Sequence, residues 1–139
     1  MVIVGSQSER EQCDDVLQLT ATEPRVVDLV GKTSVGQLMA LVQGSLLVVA
    51  NDSAALHMAV GLDRPAIGLF GPTRIELVGP YQQHARKSDA VVLQHLRVSD
   101  RVDHKDAESG KVLMERISVE EVLEAAGRVL GTIRPVGLS

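Results

Sequence analysis

The stretch from Leu46 to Phe70, LLVVANDSAALHMAVGLDRPAIGLF, decides the fold. Leu46 to Ala50 is an unbroken apolar run of strand length, with no polar alternation to mark a solvated face. Asn51-Asp52-Ser53 follows at its carboxyl end and opens a helix through Val60. Pro65 to Phe70 is then a second apolar run of strand length. A strand, a short polar loop, a helix and another apolar strand call for parallel strands joined by a right-handed crossover.

The same alternation extends outward on both sides. Val2-Ile3-Val4-Gly5 reads as a strand ending on a glycine, and Ser8 to Leu19 suits a helix with Cys13, Val16, Leu17 and Leu19 on its sheet-facing stripe. Pro24 breaks that helix, and Arg25 to Leu29 is a second strand. Gly31-Lys32-Thr33 turns the chain, and Ser34 caps a helix to about Gln43, with Val35, Leu38, Met39 and Val42 on one face. The Leu46 and Pro65 strands are then third and fourth, and Ala90 to Leu93 is the fifth. Arg97 to Lys111 carries four basic and four acidic residues with little to bury, and reads as a solvated loop. Ser118-Val119-Glu120-Glu121 is a capping box, behind which Val122, Leu123, Ala126, Val129 and Leu130 mark a helix ending near Gly131. The expectation is one Rossmann-like α/β domain over residues 1–134, a charged loop at 97–111 and a frayed tail at 135–139.

Composition narrows the function. The 139 residues include 21 Val, 17 Leu and 5 Ile against one Phe, one Tyr and no Trp. So aliphatic a core fits a sheet covered on both faces and offers no aromatic platform for stacking bases. Fourteen Lys+Arg against 18 Asp+Glu leave a net charge of −4, without the basic footprint that nucleic acid requires. Cys13 is the sole cysteine, so no internal disulfide or multi-cysteine zinc site is available, and it reads as a small buried or half-buried residue in a reduced compartment. No apolar stretch spans a bilayer and no signal-peptide pattern opens the chain, which points to the cytoplasm.

In open α/β sheets, ligands bind outside the carboxyl ends of the strands. The residues there are Gly5 to Glu9, Gly31 to Ser34, Asn51 to His57 and Phe70 to Thr73. Two of these loops run into helix starts, near Ser34 and Ser53, where free N–H groups favour an anion such as a phosphate. A nucleotide or sugar-nucleotide site follows. Within it, His57 lies one turn beyond Ser53, and its ring has the reach of a ligand held at the helix start. The plainer reading is that Asp52 caps the helix and His57 fills a gap against the next strand, and spacing alone favours it. Lys32 reads as a turn lysine and Glu9 as a first-turn acid favoured by the helix dipole. No second ligand accompanies His57, which argues against zinc. The chain contains no Walker A, GxGxxG or GxSxG pattern.

Taken in order, VIVGSQSEREQ from Val2, VVDLVGKTSVGQLMALVQGSLLVVANDSAALHMAVGLDRPAIGLFGPT from Val26, GPY at Gly79 and MERISVEEVLEAAGRVL from Met114 resemble glycosyltransferase family 9, the ADP-heptose:lipopolysaccharide heptosyltransferases. The similarity runs from Val2 to about Leu130. Its most specific part is the strand ending in N-D-S, then H four residues on, then the strand ending in F-G-P-T.

The resemblance implies the C-terminal, donor-binding half of a two-domain GT-B fold. It implies that Glu9 hydrogen-bonds the nucleoside ribose and that Thr33 sits near the adenine. Asp52 would bind heptose hydroxyls, the N–H groups of Ser53 and Ala54 would receive the diphosphate, and His57 would lie beside phosphate and sugar. Lys32, Gly71, Pro72 and Thr73 belong to the adjoining donor loops. No cofactor or metal is implied, and no residue here is assigned the catalytic base. Two departures stand out. Ala54 and Ala55 replace the glycine and proline usual after N-D-S, which places a methyl where backbone should approach phosphate. The chain also opens at what looks like the domain's second strand, so the first strand, its phosphate-contacting lysine loop and the acceptor domain with its catalytic aspartate are expected elsewhere.

The implied function is binding of ADP-heptose or a related nucleotide sugar for inverting transfer to a lipopolysaccharide inner-core acceptor. The alternatives are a stand-alone nucleotide-binding module without catalysis and a vestigial interaction protein. Unpaired edges on the Val2 and Leu46 strands suggest a homo-oligomer, most simply a two-fold dimer; direct pairing of those two strands is the monomeric alternative. A cytoplasmic chain is expected, with a peripheral position at the inner membrane as the further option.

Overall fold

The computed structural model of the chain describes residues 1–72, 90–96 and 107–132. The chain divides into two units, residues 1–41 and residues 42–139.

In the first unit, β1 (Val2–Ile3) pairs in parallel with β2 (Val27–Asp28). Flanking bonds from Val27 N–H to Met1 O, Leu29 N–H to Ile3 O and Gly31 N–H to Gly5 O carry the ladder past both strands. The crossover is not the single helix that the Ser8–Leu19 pattern predicts. It enters as a 3₁₀ helix at Gln7–Cys13 and continues as two short α-helical turns, α1 (Asp14–Leu17) and α2 (Leu19–Thr22). Thr20 and Thr22 return their hydroxyls to the carbonyls of Leu17 and Leu19, a local competition that disfavours a long regular helix. Helix α3 (Val35–Gln43) begins on a reciprocal pair between Ser34 and Gln37, at 2.8 and 3.3 Å.

In the second unit, β3 (Val48–Asn51), β4 (Ala66–Leu69) and β5 (Ala90–Leu93) form a parallel sheet in that order. Register is regular, with Val48 opposite Ala66 and Ala66 opposite Ala90. The described strands thus fall into two parallel ladders, and direct pairing of the Val2 and Leu46 strands is not among them. Helix α4 (Ala54–Gly61) packs Leu56, Ala59 and Val60 inward. Central β4 is the driest element: Ala66, Ile67 and the adjoining Phe70 are fully buried. Gly68 is required by that packing, because a Cβ there would lie 2.8 Å from both Leu56 Cδ2 and Phe70 Cε2. After α4 the chain turns through Asp63, which takes a left-handed φ of 55°.

The charged segment differs from expectation. Residues 97–106 lie outside the described residues, but a helix, α5 (Ala107–Met114), replaces the end of the expected loop. Its Leu113 is buried, and Met114 and the Gly110 carbonyl crowd Gly71. Leu113, with half-buried Met114 beside it, supplies burial that the charges obscured, while Val112 stays exposed. Helix α6 (Val119–Thr132) then starts on the expected capping box: Ser118 N–H donates to Glu121 at 2.9 Å and Glu121 N–H donates to Ser118 Oγ at 3.1 Å. Ala125 and Val129 face the core. The tail at 135–139 lies outside the described residues.

Candidate functional site

In the second unit the candidate site is built at the junction of β3 and α4. The apolar strand ends at Asn51, Asp52 carries the chain off the sheet, and Ser53 takes extended backbone (φ −149°, ψ 166°) as the N-cap of α4. Ser53 carbonyl accepts the N–H groups of Leu56 at 3.1 Å and His57 at 3.4 Å. Its side chain makes no capping bond, so the first-turn N–H groups of Ala54 and Ala55 receive no hydroxyl from it. Asp52 Oδ1 lies 3.6 Å from His57 Nε2, with side chains 28 % and 44 % exposed. That is too long for a hydrogen bond but close enough for charge attraction when the ring is protonated. The plainer sequence reading fails on both counts: Ser53, not Asp52, occupies the cap, and His57 faces outward instead of filling the core. An acid, an imidazole and an unserved helix start therefore share one exposed corner.

Two further strand ends close this edge of the second unit. Gly71 and Pro72 follow β4, and the Gly71 carbonyl accepts the Gln94 side-chain amide at 2.8 Å from the end of β5. His95 Nε2 lies 2.7 Å from Glu121 Oε1, and Arg116 donates to the His95 carbonyl at 3.0 Å. The Glu121 carboxyl is held below its ordinary range by the Ser118 N–H first and by His95 second. Thr73 lies outside the described residues.

The first unit brings Glu9, Lys32 and Thr33 to the carboxyl end of its two strands. Glu9 Oε2 accepts both the Ser6 N–H at 2.7 Å and the Ser6 hydroxyl at 2.6 Å. These bonds lower its pKa and keep it ionised. Thr33 is half-buried beside the start of α3. The Lys32 ammonium lies 2.9 Å from Asp28 Oδ2 and 3.1 Å from the Asp28 carbonyl, with its side chain half exposed. Asp28 also takes Arg10, at 2.8 Å to Oδ2 and 3.3 Å to Oδ1, and the Val30 N–H at 2.9 Å. With its side chain 14 % exposed, Asp28 is held well below the usual carboxylate range, by Arg10 first, then Lys32, then Val30.

Spacing alone did not single out Asp28 or Arg10, which sit 18 residues apart. The available signal is the acid inside the apolar run VVDLV, since a charge placed there needs a partner. Among the described residues no group of three or more His, Cys, Asp or Glu is placed to hold a metal, and no helix is long and apolar enough to cross a membrane.

Parallel strands, helical crossovers and polar loops at the strand carboxyl ends define a Rossmann-like α/β class of domain. The model of glycosyltransferase family 9 (heptosyltransferase) matches residues 1–109, so this chain belongs to that family. It is similar to lipopolysaccharide heptosyltransferase 2 of Salmonella typhimurium and of Escherichia coli K12, at 31 % identity over 88 residues in each case, which is 62 % of this chain and 25 % of the relative. Among solved structures it resembles a family 9 glycosyl transferase from Veillonella parvula, with a TM-score of 0.71 and 25 % identity. It also resembles the E. coli ADP-heptose lps heptosyltransferase II, with a TM-score of 0.74 and 23 % identity; each match covers 94 % of this chain and 36 % of that one. The chain thus spans a quarter of the length of these curated relatives.

Proposed function

We propose that this chain binds the nucleotide-sugar donor, ADP-heptose or a close relative, of a heptosyltransferase reaction. The observation that carries the reading is the β3–α4 corner, where Asp52 and His57 flank a helix start whose N–H groups lack a side-chain cap. An anion there gains from the helix dipole as well as from hydrogen bonds. In this reading Ser53 and Ala54 N–H groups take the diphosphate, Asp52 takes sugar hydroxyls, and His57 lies beside both. Glu9 takes the ribose and Thr33 the adenine, with Gly71, Pro72 and Thr73 as adjoining loop. Family membership and the similarity to heptosyltransferases support this class of donor.

Transfer itself is an inverting displacement. An acceptor hydroxyl of the lipopolysaccharide inner core attacks the anomeric carbon as its bond to the diphosphate breaks, and ADP leaves. The helix start stabilises the charge that grows on the departing phosphate. Among the described residues none is assigned as the base that takes the hydroxyl proton, and none is assigned to the acceptor site. The reading also takes the chain as cytoplasmic and as a homo-oligomer paired through an unpartnered strand edge.

With Lys32 committed to Asp28, the diphosphate relies on the helix start. Each exposed charge–dipole contact of that kind contributes only about 0.3–1 kcal/mol. Calorimetric titration of the chain with ADP and ADP-heptose should give dissociation constants weaker than the roughly −8.2 kcal/mol of a 1 μM complex. Absence of any heat at millimolar ligand would overturn donor binding. A transfer assay with an inner-core acceptor separates a donor-binding module, which the isolated chain should be, from a complete transferase.

A further inference from the structure

In the first unit Glu9 stands on the 3₁₀ helix that follows β1 and Thr33 on the loop that follows β2, and each has a cation as its immediate neighbour in sequence. Arg10 follows Glu9, and Lys32 precedes Thr33. Both cations converge on the carboxylate of Asp28, through contacts of 2.8 and 2.9 Å. We propose that Asp28 is a positioning residue for nucleoside recognition, a clamp whose one carboxylate fixes the 3₁₀ helix bearing Glu9 against the loop bearing Thr33. The inference rests on the donor-binding reading above and deepens it.

Three further contacts make the clamp specific to these two segments. Arg10 also donates to the Val30 carbonyl at 3.3 Å, so its guanidinium spans the whole turn that leaves β2. The Val30 N–H returns to Asp28 Oδ1, closing that turn on its own acid. Gly31 takes a left-handed φ of 72° and gives its N–H to the Gly5 carbonyl at 2.9 Å. Any Cβ on Gly31 would collide with the Gln7 side chain, so the two loops touch at a point that only glycine allows. Val30, whose side chain lies 3.7 Å from where a Gly5 Cβ would stand, is 1 % exposed and anchors the turn below the clamp. Lys32 is then a strut holding the loop geometry, not a phosphate ligand.

The test compares adenosine with ADP. Calorimetry on the full 139-residue chain would be run with each ligand against wild type, Asp28→Asn, Lys32→Gln and Lys32→Arg. The clamp predicts that Asp28→Asn weakens adenosine and ADP by the same factor, about tenfold, the size of one charged hydrogen bond. Lys32→Gln should weaken both equally and by less, and Lys32→Arg, which keeps a cation on Asp28, should restore both. A role confined to folding would lower the melting temperature without moving adenosine affinity measured well below it. Lys32→Gln carries the test should Asp28→Asn fail to fold, since it removes a half-exposed side chain. Loss of ADP affinity with adenosine unchanged in Lys32→Gln would make Lys32 a phosphate ligand and overturn the clamp. Wild-type adenosine affinity in Asp28→Asn would overturn it while leaving donor binding intact. Failure of the wild-type chain to bind either ligand would overturn the donor-binding reading, and the clamp's role with it.

Discussion

The two units fix the same kind of strand-to-loop junction by different means. In residues 1–41 the buried apolar side chains are Leu17 and Val30, and the turn after β2 is held by a carboxylate, two cations and backbone N–H groups. In residues 42–139 the junctions rest on a dry aliphatic core, with Leu56, Ala59, Ala66, Ile67 and Phe70 fully buried. Apolar burial is indifferent to pH and tolerates no loss of volume. A charge cluster has the opposite character. Its loops are set by directional bonds, and they loosen when one partner changes its proton.

The sharpest way to break the comparison is at Phe70. Phe70→Ala removes the largest fully buried side chain of the second unit and should cost about 3–5 kcal/mol. Urea denaturation followed by circular dichroism reads this directly. A loss below about 1 kcal/mol would mean that the core collapses around the gap and is not close-packed. A smaller effect is expected at the start of α6, where Ser118→Ala removes one half of a reciprocal cap and should cost about 0.5–2 kcal/mol in the same measurement.

The smallest effect is a pH dependence that separates the units. An unfolded aspartate titrates near about 3.9, and Asp28 in the fold titrates well below that. Below its unfolded pKa the unfolded chain binds the proton more readily, so Asp28 contributes stability in full above about pH 4–5 and loses it as pH falls toward the folded value. Melting temperature measured from pH 6 down to pH 2 should fall less steeply in Asp28→Asn than in wild type. Identical slopes would show that the carboxylate is not held by its cations.

What was legible in the sequence follows the same division. Leu46 to Phe70 could be read because unbroken aliphatic runs and a helix of fixed period state their own structure. Strand β4 and helix α4 fall where that reading puts them, within a residue or two. The Ser118–Glu121 box was legible because a cap is a local pattern. The Asp28 clamp was not, because Arg10 reaches Asp28 only after the chain has folded back through the crossover, and no spacing rule records that. Helix α5 was hidden by its charges, although its Leu113 is buried in the core. At the candidate site, spacing put His57 one turn beyond Ser53 but favoured the plainer reading, with Asp52 as the cap and His57 filling a gap. Their outward orientation depended on Ser53 taking the cap, a choice between two good capping residues that spacing leaves open.

The central claim is the location of donor binding, and an ADP titration of the isotopically labelled chain followed by amide NMR tests it most directly. The account predicts that the amides of Ser53, Ala54, Ala55 and His57 shift saturably, in fast exchange as suits weak binding. Saturable shifts confined to other residues, such as the apolar groove lined by Leu69, Val119 and Leu123, would contradict it.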